Sequence, residues 1–555
     1  MKIINYISIC AALLISTSSC ISRKQAQDQK QADVSYPKFT RKDSLQGALN
    51  QFRTCYDVQQ YTLTIDVNPE KKHLQGFVDI QFKVVQQTQK IQVDLFKNMR
   101  MDSIVFQGKR MKFTREHNAV FITVPLLTAG TTQTIRCYYQ GKPIEAPRPP
   151  WEGGFVWKKD EQKNPWIGVA CELIGSSLWW PCKDHLSDEP DNGVIMNVTV
   201  PQGLKVVANG KLIEQKSLNQ KDTYTWQTKY AINNYNVTLY IGKFEHFSET
   251  YRGIDTTFTL DYYVLPEHLE KTKLIFQQTP NILKYFESIY GPYPWAREGF
   301  KLVGSPYEGM EHQTAIAYGT GFKTHHLGFD YIILHESVHE WWGNSISVDD
   351  FSDIFMHEGF ATYSEALFVE HTYGVKEAER YMLKYAGYIK NKNPLVGPRN
   401  VNFWDYKDTD PYMKGAWTLH GLRFVINNDS LFFDILKTYY NTRAYSIVTV
   451  KDFTEYTKQK TGMNLDWYFA QYLYKRHIPT LEYKASQHEN IVSIEMRWTN
   501  VGDDFKLPIQ IDLNGEPIRI VPTTTIQRFV FHNVTEIQIN PYKVYFAAKK
   551  VESFK

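Results

Sequence analysis

The segment HESVH is the strongest constraint on the fold of this chain of 555 residues, and a glutamate follows nineteen residues after its second histidine. In an α-helix, residues four apart lie on one face, so His335 and His339 can direct two imidazoles at one metal ion while Glu336 stands beside them. Catalytic zinc usually keeps three protein ligands and one open position for water. The fold must therefore bring a third ligand from another segment, and Glu358 is the best candidate.

Two helices are predicted around these residues. Ile332, Ile333 and Val338 recur at near-helical spacing, which indicates a largely buried helix whose polar side chains need partners. The segment EGFATYSEALFVEHTYG, which begins at Glu358, also has helical periodicity and ends in a glycine suited to a helix C-terminus. The motif is therefore expected at the contact between two helices.

Two neighbours of the third ligand leave alternatives open. His357 is an alternative ligand, although on a helix it points about 100° away from Glu358. Glu365 lies seven residues after Glu358, on the same helix face. It either orients a ligand histidine from behind or is a plain surface carboxylate.

The residues that follow the second histidine and surround the third ligand are also distinctive. WWGN follows the second histidine, and EGFA contains the third ligand. The pattern resembles the zinc aminopeptidases related to aminopeptidase N and leukotriene hydrolase, which are gluzincin peptidases. The resemblance implies one Zn²⁺ per chain, bound by His335, His339 and Glu358, and peptide substrates with a free N-terminus. In length the chain is similar to a short form of this family without the large C-terminal helical domain.

The segment EGMEHQTAI resembles the Gly-x-Met-Glu-Asn signature of the family and is expected near the end of a strand. Its Gly309, Met310 and Glu311 are predicted to bind substrate. The resemblance implies that Glu311 binds the α-ammonium, and a fixed carboxylate can do so by a charge-assisted hydrogen bond. Glu308 and His312 depart from the signature, which affects the shape of the terminal pocket.

The segment DPYMKGAWTLHGLR resembles the Tyr-x-Lys-Gly-Ala segment of the family. The resemblance implies that Tyr412 hydrogen-bonds the oxyanion of the tetrahedral intermediate. Asp410 is predicted to cap a helix and Pro411 to occupy its first position, so that Tyr412 lies on a rigid first turn. A phenol held there can donate to an oxygen that gains charge.

A weaker match lies in residues 168–191, where GVACELIGSSLWWPCKDHLSDEPD resembles a family segment that helps to hold the amino terminus of the substrate. Glu172 is the corresponding residue. The alternative is an ordinary polar residue at the end of a strand.

These residues together predict metal-assisted hydrolysis of the first peptide bond, with release of one amino acid per turnover. Glu336 would serve as general base, and Glu311 would set the register. An endopeptidase would not need Glu311. A hydrolase of a lipid epoxide shares the same ligands and stays an alternative, as does a non-catalytic peptide-binding surface protein.

The hydrophobic pattern predicts a multi-domain α+β protein. Short alternating runs indicate an N-terminal β-sheet domain, helical spacing surrounds the metal motifs, and strand-like runs return near the end. The resemblance implies that the middle part is a thermolysin-like zinc catalytic domain. The predicted domains are an N-terminal β-rich domain (37–248), the catalytic domain (249–478) and a small C-terminal β-sandwich (479–555).

The first residues read as an export signal. A single lysine, an apolar run and small residues precede Cys20, which predicts a signal peptide over 1–20, of bacterial lipoprotein type or simply cleaved. Residues 21–36 are polar and predict a flexible tether. The protein is therefore expected to be exported to the periplasm or outer membrane of the cell envelope, with a lipid anchor at Cys20 as its one contact with a membrane.

Charge and the remaining cysteines and histidines add few further sites. The formal net charge of +4 is small for this length, so nucleic acid is not expected as a partner. Cys171 and Cys182 could form a disulfide, and buried free thiols are an equally good interpretation. His185, His325 and His326 are interpreted as structural or surface residues.

Overall fold

Alternating apolar and polar residues build the sheets of the first domain. The computed structural model describes residues 36–319, 321–322, 324–405 and 407–554, so the predicted signal peptide and nearly all of the predicted tether lie outside the described residues. In the first strand, Tyr61, Leu63, Ile65 and Val67 point to one face and are almost fully buried, as a period of two requires. A register shift interrupts this alternation between residues 58 and 60.

The elements of the N-terminal domain are two short helices and fifteen strands within the described residues. They are α1 (Arg41–Gly47), α2 (Gln51–Thr54), β1 (Tyr56–Asn68), β2 (His73–Val84), β3 (Thr88–Asp94), β4 (Met99–Phe106), β5 (Lys109–Arg110), β6 (Phe113–Glu116), β7 (Ala119–Leu127), β8 (Thr132–Gly141), β9 (Gly154–Lys159), β10 (Pro165–Ala170), β11 (Val194–Pro201), β12 (Lys205–Ala208), β13 (Lys211–Leu218), β14 (Lys221–Thr228) and β15 (Leu239–Gly242).

These strands form three sheets. The largest has the order β13-β14-β11-β1-β2-β8-β4-β5, and smaller sheets have the orders β12-β15-β10-β9 and β3-β7-β6. β1 and β11 run parallel and every other neighbouring pair in the large sheet is antiparallel. The segment after β10 carries Glu172 out of the four-stranded sheet and towards the catalytic domain.

The catalytic part combines a five-stranded sheet with a group of helices. Its elements are β16 (Glu245–Arg252), β17 (Thr257–Val264), α3 (Leu269–Phe276), α4 (Thr279–Tyr290), β18 (Phe300–Gly304), β19 (Gly309–Met310), β20 (Ile316–Tyr318), α5 (Tyr331–Val338), β21 (Ile346–Val348), α6 (Phe355–Tyr373), α7 (Val375–Ala386), α8 (Asp410–Ile426), α9 (Asp429–Arg443), β22 (Ser446–Val448), α10 (Val450–Thr461) and α11 (Asp466–Tyr474). The sheet order is β16-β17-β18-β20-β19, so β19 lies at an edge, and β21 pairs with β22 separately. The predicted domain boundary at 248/249 falls inside β16.

Two small sheets complete the described chain. They contain β23 (Thr480–His488), β24 (Ile491–Thr499), β25 (Ile509–Leu513), β26 (Glu516–Ile520), β27 (Gln527–His532), β28 (Ile537–Ile539) and β29 (Ala547–Lys550). Their orders are β27-β24-β23-β29 and β26-β25-β28. The predicted α+β class with several sheets is confirmed. No helix in the described part of the chain combines the length and the apolar character needed to cross a membrane.

Buried polar contacts join the N-terminal domain to the catalytic domain behind the edge strand β19. The Asn209 side chain donates to the main-chain carbonyl of Gln313 at 2.6 Å. The Asn236 side chain donates to Oδ1 of the Asn344 side chain at 2.7 Å. The Tyr307 hydroxyl donates to the carbonyl of Val169 at 2.9 Å. The Tyr307 bond holds β10 against the segment that precedes β19, and the cleft of the candidate site lies between residues of the N-terminal domain and residues of the catalytic domain.

Two details differ from the sequence-based interpretation or decide between its alternatives. Asp410 does not cap α8; it is the first helical residue, and its carboxylate accepts from the backbone N–H groups of Lys390 and Lys392. Cys171 and Cys182 are buried free thiols and form no disulfide.

Candidate metal centre and cleft

The two motif helices bring three potential metal ligands together. The Nε2 atoms of His335 and His339 lie 3.2 Å apart, and they lie 3.5 and 3.4 Å from Oε2 of Glu358. All three side chains are buried. Asp330 caps α5 by accepting from the N–H groups of Ile332 and Ile333, which fixes the start of the helix that carries the histidines.

The Nδ1 atoms of both imidazoles lie within hydrogen-bond distance of oxygen acceptors of the protein. Nδ1 of His335 lies 2.6 Å from Oε1 of Glu365, and Nδ1 of His339 lies 2.8 Å from the carbonyl oxygen of Trp342. Both partners accept, so each Nδ1 carries the proton and each Nε2 presents a lone pair to the centre. Two lone pairs and a carboxylate that face one another repel unless a metal ion or a proton lies between them.

The spacing of these atoms fits zinc. Zinc bonds of about 2.0–2.1 Å in a tetrahedron require ligand atoms about 3.3–3.4 Å apart, which agrees with the three observed distances. Oε2 of Glu358 is also buried without a hydrogen-bond partner among the described residues. These residues therefore fit a three-ligand zinc site with one position open.

His357 takes no part in the cluster. It is buried, its two ring nitrogens have no hydrogen-bond partner among the residues described, and burial lowers its pKa to about 3. Glu358 and not His357 is therefore the third residue of the cluster. The predicted structural histidine His185 contacts Ser187 and the carbonyl of Gly47, away from the site.

A carboxylate behind the site orients His335. Glu365 is fully buried, and besides Nδ1 of His335 it accepts the hydroxyl protons of Tyr381 at 2.5 Å and Tyr385 at 2.6 Å. The alternative of a surface carboxylate is wrong, because α7 folds back over this face of α6 and covers it. The two tyrosines carry no motif and were missed by the sequence analysis.

Glu336 lies in the cleft beside the ligands. Its side chain is buried, and burial together with the negative charge of Glu311 raises its pKa to about 8, against the opposing effect of His335. Cations lower the pKa of neighbouring carboxyls, so a bound metal favours the ionised form of Glu336. A Cβ at Gly309 would collide with Oε1 of Glu336 and lie 2.8 Å from Ile332, which is why only glycine fits there.

Tyr412 approaches the centre from the first turn of α8, as predicted. Its ring stacks at 6.0 Å from that of His335. Burial, followed by the charge of Glu358, raises its pKa well above 10, so the phenol keeps its proton and can donate it in a hydrogen bond.

Glu311 and Glu172 lie in the same cleft as the metal ligands. Glu311 is 4% exposed and accepts the hydroxyl of Tyr235 at 3.1 Å. Oε1 of Glu172 is buried with no partner among the described residues. Burial first, and Glu311 second, raise the pKa of Glu172 well above 4.5. Two carboxylates that interact in this way are stabilised by a cation between them. Tyr235 belongs to no motif and was not predicted.

The cleft that holds these groups has a cavity volume of about 100 Å³. Met310 lines it, as predicted, but several aromatic and apolar lining residues were not predicted. The described lining consists of Pro150, Trp151, Glu172, Leu173, Glu308, Gly309, Met310, Glu311, Tyr331, Ile332, His335, Glu336, His339, Glu358, Trp404 and Tyr412.

A buried cluster of two histidines and a carboxylate, with a further carboxylate beside an open position, is the residue set of a zinc centre on a mixed α+β fold. Two family models match the chain: "Peptidase M1 N-terminal domain" over residues 57–235 and "Peptidase family M1 domain" over residues 276–472. The chain belongs to peptidase family M1, which confirms the family predicted from the motifs.

Curated relatives agree with this assignment. Leukotriene A-4 hydrolase of Xenopus laevis is 24% identical over 407 residues, which cover 67% of this chain and 64% of that protein. Leucyl aminopeptidase of Saccharolobus solfataricus is 20% identical over 513 residues, which cover 87% of this chain and 62% of that protein. The chain thus spans less than two thirds of the length of these relatives.

Solved structures share the fold. The M1 zinc metallopeptidase of Deinococcus radiodurans superposes with a TM-score of 0.66 at 23% identity, covering 76% of this chain and 94% of that one. A mutant of that enzyme bound to a Tyr-Ser-Ala substrate superposes with a TM-score of 0.65, covering 76% and 95%.

Proposed function

We propose that the protein is a zinc aminopeptidase that hydrolyses the N-terminal bond of peptides and releases single amino acids. The observation that supports it best is the carboxylate of Glu311, which is buried in the cleft beside His339, held by Tyr235, and close to Glu172. An endopeptidase needs no buried carboxylate at this position, whereas an exopeptidase must bind the terminal ammonium.

Different residues of the cleft carry out different steps of hydrolysis. A zinc ion held by His335, His339 and Glu358 would supply Lewis acidity, which polarises a carbonyl and makes water more acidic. Glu336 takes the proton of the attacking water and passes it to the leaving amine. Tyr412 donates a hydrogen bond to the oxygen that gains negative charge in the transition state.

The register of the substrate follows from the acidic groups of the cleft. Glu311, together with Glu172, binds the α-ammonium, so the first peptide bond is the one that reaches Glu336. The names of the relatives agree with this: one is a leucyl aminopeptidase, and one solved structure has a tripeptide substrate with Tyr first.

The test is to incubate the purified protein with one peptide in free and N-acetylated forms and to follow the products by mass spectrometry. We expect stepwise loss of single N-terminal residues from the free form alone. Glu336→Gln should lower kcat by about 10²–10⁴ while zinc content stays the same. Internal cuts in both forms would instead support an endopeptidase. Cleavage of neither form would direct attention to an epoxide substrate or to a binding function.

We further propose that the protein is exported to the cell envelope and anchored through a lipid on Cys20, as its first twenty residues suggest. Expressed in a bacterium, the protein should fractionate with membranes, and Cys20→Ala should lose this association. Equal fractionation of both forms would contradict the proposal.

A further inference from the structure

Glu308 is a charged residue of the cleft that the proposed reaction leaves unused. It precedes β19, lines the cleft next to Gly309 and is exposed. Its carboxylate has no ion-pair partner within the described residues. Glycine occupies this position in the Gly-x-Met-Glu-Asn signature, so the charge is a departure from that signature.

Glu308 and Glu311 lie at opposite ends of the short strand β19. Glu311 lies at the end near His339 and Tyr235. Glu308 lies near Tyr331, whose pKa is raised by burial and, to a smaller extent, by several carboxylates that include Glu308. The Tyr331 ring in turn stacks at 5.5 Å from His335. The two carboxylates therefore lie near different members of the metal cluster, Glu311 near His339 and Glu308 near the ring that stacks on His335.

The distance between these ends determines which part of a peptide reaches Glu308. An extended chain advances about 3.3 Å per residue, so Glu308 and Glu311 are about 10 Å apart along the strand. Between them, Gly309 packs against Glu336, where the bond is cleaved. A peptide whose ammonium lies at Glu311 thus brings its second and third residues alongside Glu308.

The charge of the cleft favours a cation at this position. None of the described lining residues is lysine or arginine, and five are glutamates. Four of the five are assigned to zinc, to the attacking water or to the α-ammonium, so Glu308 is the one whose charge has no assigned partner. An exposed carboxylate with no cationic neighbour in the described lining attracts a cationic side chain and repels an anionic one.

We propose that Glu308 is a specificity-determining residue that binds a lysine or arginine side chain at the second or third position of the substrate. The proposal rests on the proposed aminopeptidase function, because the order of subsites follows from the ammonium at Glu311.

The test compares kcat/KM for peptides that are identical except for Lys, Gln or Glu at the second position, and then at the third. We expect the wild-type protein to prefer Lys over Gln by about threefold to fivefold at one of the two positions, as one partly exposed ion pair allows. This ratio should fall to about one in Glu308→Gln, reverse in favour of the Glu peptide in Glu308→Lys, and shrink as salt is added. The matched control Glu516→Gln, at an exposed carboxylate of β26, should keep the wild-type ratio.

The outcomes separate the two proposals. If the wild-type protein removes the first residue of Lys and Gln peptides equally well, or if Glu308→Gln keeps the wild-type ratio, the role of Glu308 is overturned and the aminopeptidase stands. If no peptide loses its first residue, the aminopeptidase proposal fails and the role of Glu308 fails with it.

Discussion

At the scale of single residues, the site is a set of side chains whose hydrogen bonds leave the right atoms free. His335 and His339 each use Nδ1 for a protein acceptor, at 2.6 and 2.8 Å, and each turn Nε2 inwards. The acceptors are a carboxylate in one case and a main-chain carbonyl in the other. The more basic of the two ligands is therefore expected to be His335, because its partner is charged.

This difference predicts that Glu365→Gln weakens zinc binding by about tenfold to a hundredfold without unfolding the protein, since the charge behind His335 is lost. A competitive titration with a zinc chelator measures the affinity. Glu370→Gln is the matched control, because Glu370 lies on the same helix but pairs with Arg423. Equal zinc affinities of the two variants would show that Glu365 does not tune the ligand.

At the scale of elements, two motif glycines place the helices of the site. Gly359 of α6 and Gly415 of α8 face each other, and a Cβ on Gly415 would lie 2.8 Å from the Cα of Gly359. Each glycine is close in sequence to a site residue, Glu358 on one helix and Tyr412 on the other. The close approach of the two backbones thus sets the distance between the third ligand and the phenol.

Gly415→Ala is therefore expected to force the helices apart by a fraction of an ångström. We expect the free energy of unfolding to fall by about 1–3 kcal/mol, as for other overpacked cores, and kcat to fall because Tyr412 moves. Chemical denaturation and steady-state kinetics on the same preparation measure both effects.

Gly397→Ala is the control, because its Cβ would make an ordinary contact at 3.6 Å with Ser352. If Gly415→Ala keeps the wild-type free energy of unfolding and the wild-type kcat, the glycine contact does not limit how closely the two helices approach.

At the scale of the whole molecule, a titratable contact joins the N-terminal domain to the catalytic domain. The Ser347 hydroxyl of β21 donates to Oε1 of Glu189 at 2.6 Å. Burial raises the pKa of Glu189 to about 7, although the bond from Ser347 opposes the shift. The folded state therefore binds the proton more tightly than the unfolded state, and this stabilisation is lost as the pH rises from about 4.5 to about 7.

Glu189→Gln keeps an acceptor for Ser347 and removes the ionisation. We expect the variant to match the wild-type protein near pH 4 and to exceed its free energy of unfolding above pH 7 by about 1–3 kcal/mol. Denaturant unfolding from pH 4 to 8 measures the difference, and Glu516→Gln, at an exposed carboxylate, should show none. A constant difference across this range would contradict the raised pKa.

The metal-ligand set, the family and the α+β class could be predicted from local sequence patterns. His335, Glu336 and His339 are recognisable because they lie within about one helical turn of one another. Glu358 is recognisable because it belongs to the local motif EGFA. Contacts that depend on how distant elements pack could be identified only in the folded protein. Its packing buries Glu365 under α7 and brings Tyr235 to Glu311. Local spacing carries no information about such contacts, because each joins segments whose relative position is set by the packing of whole sheets and helices.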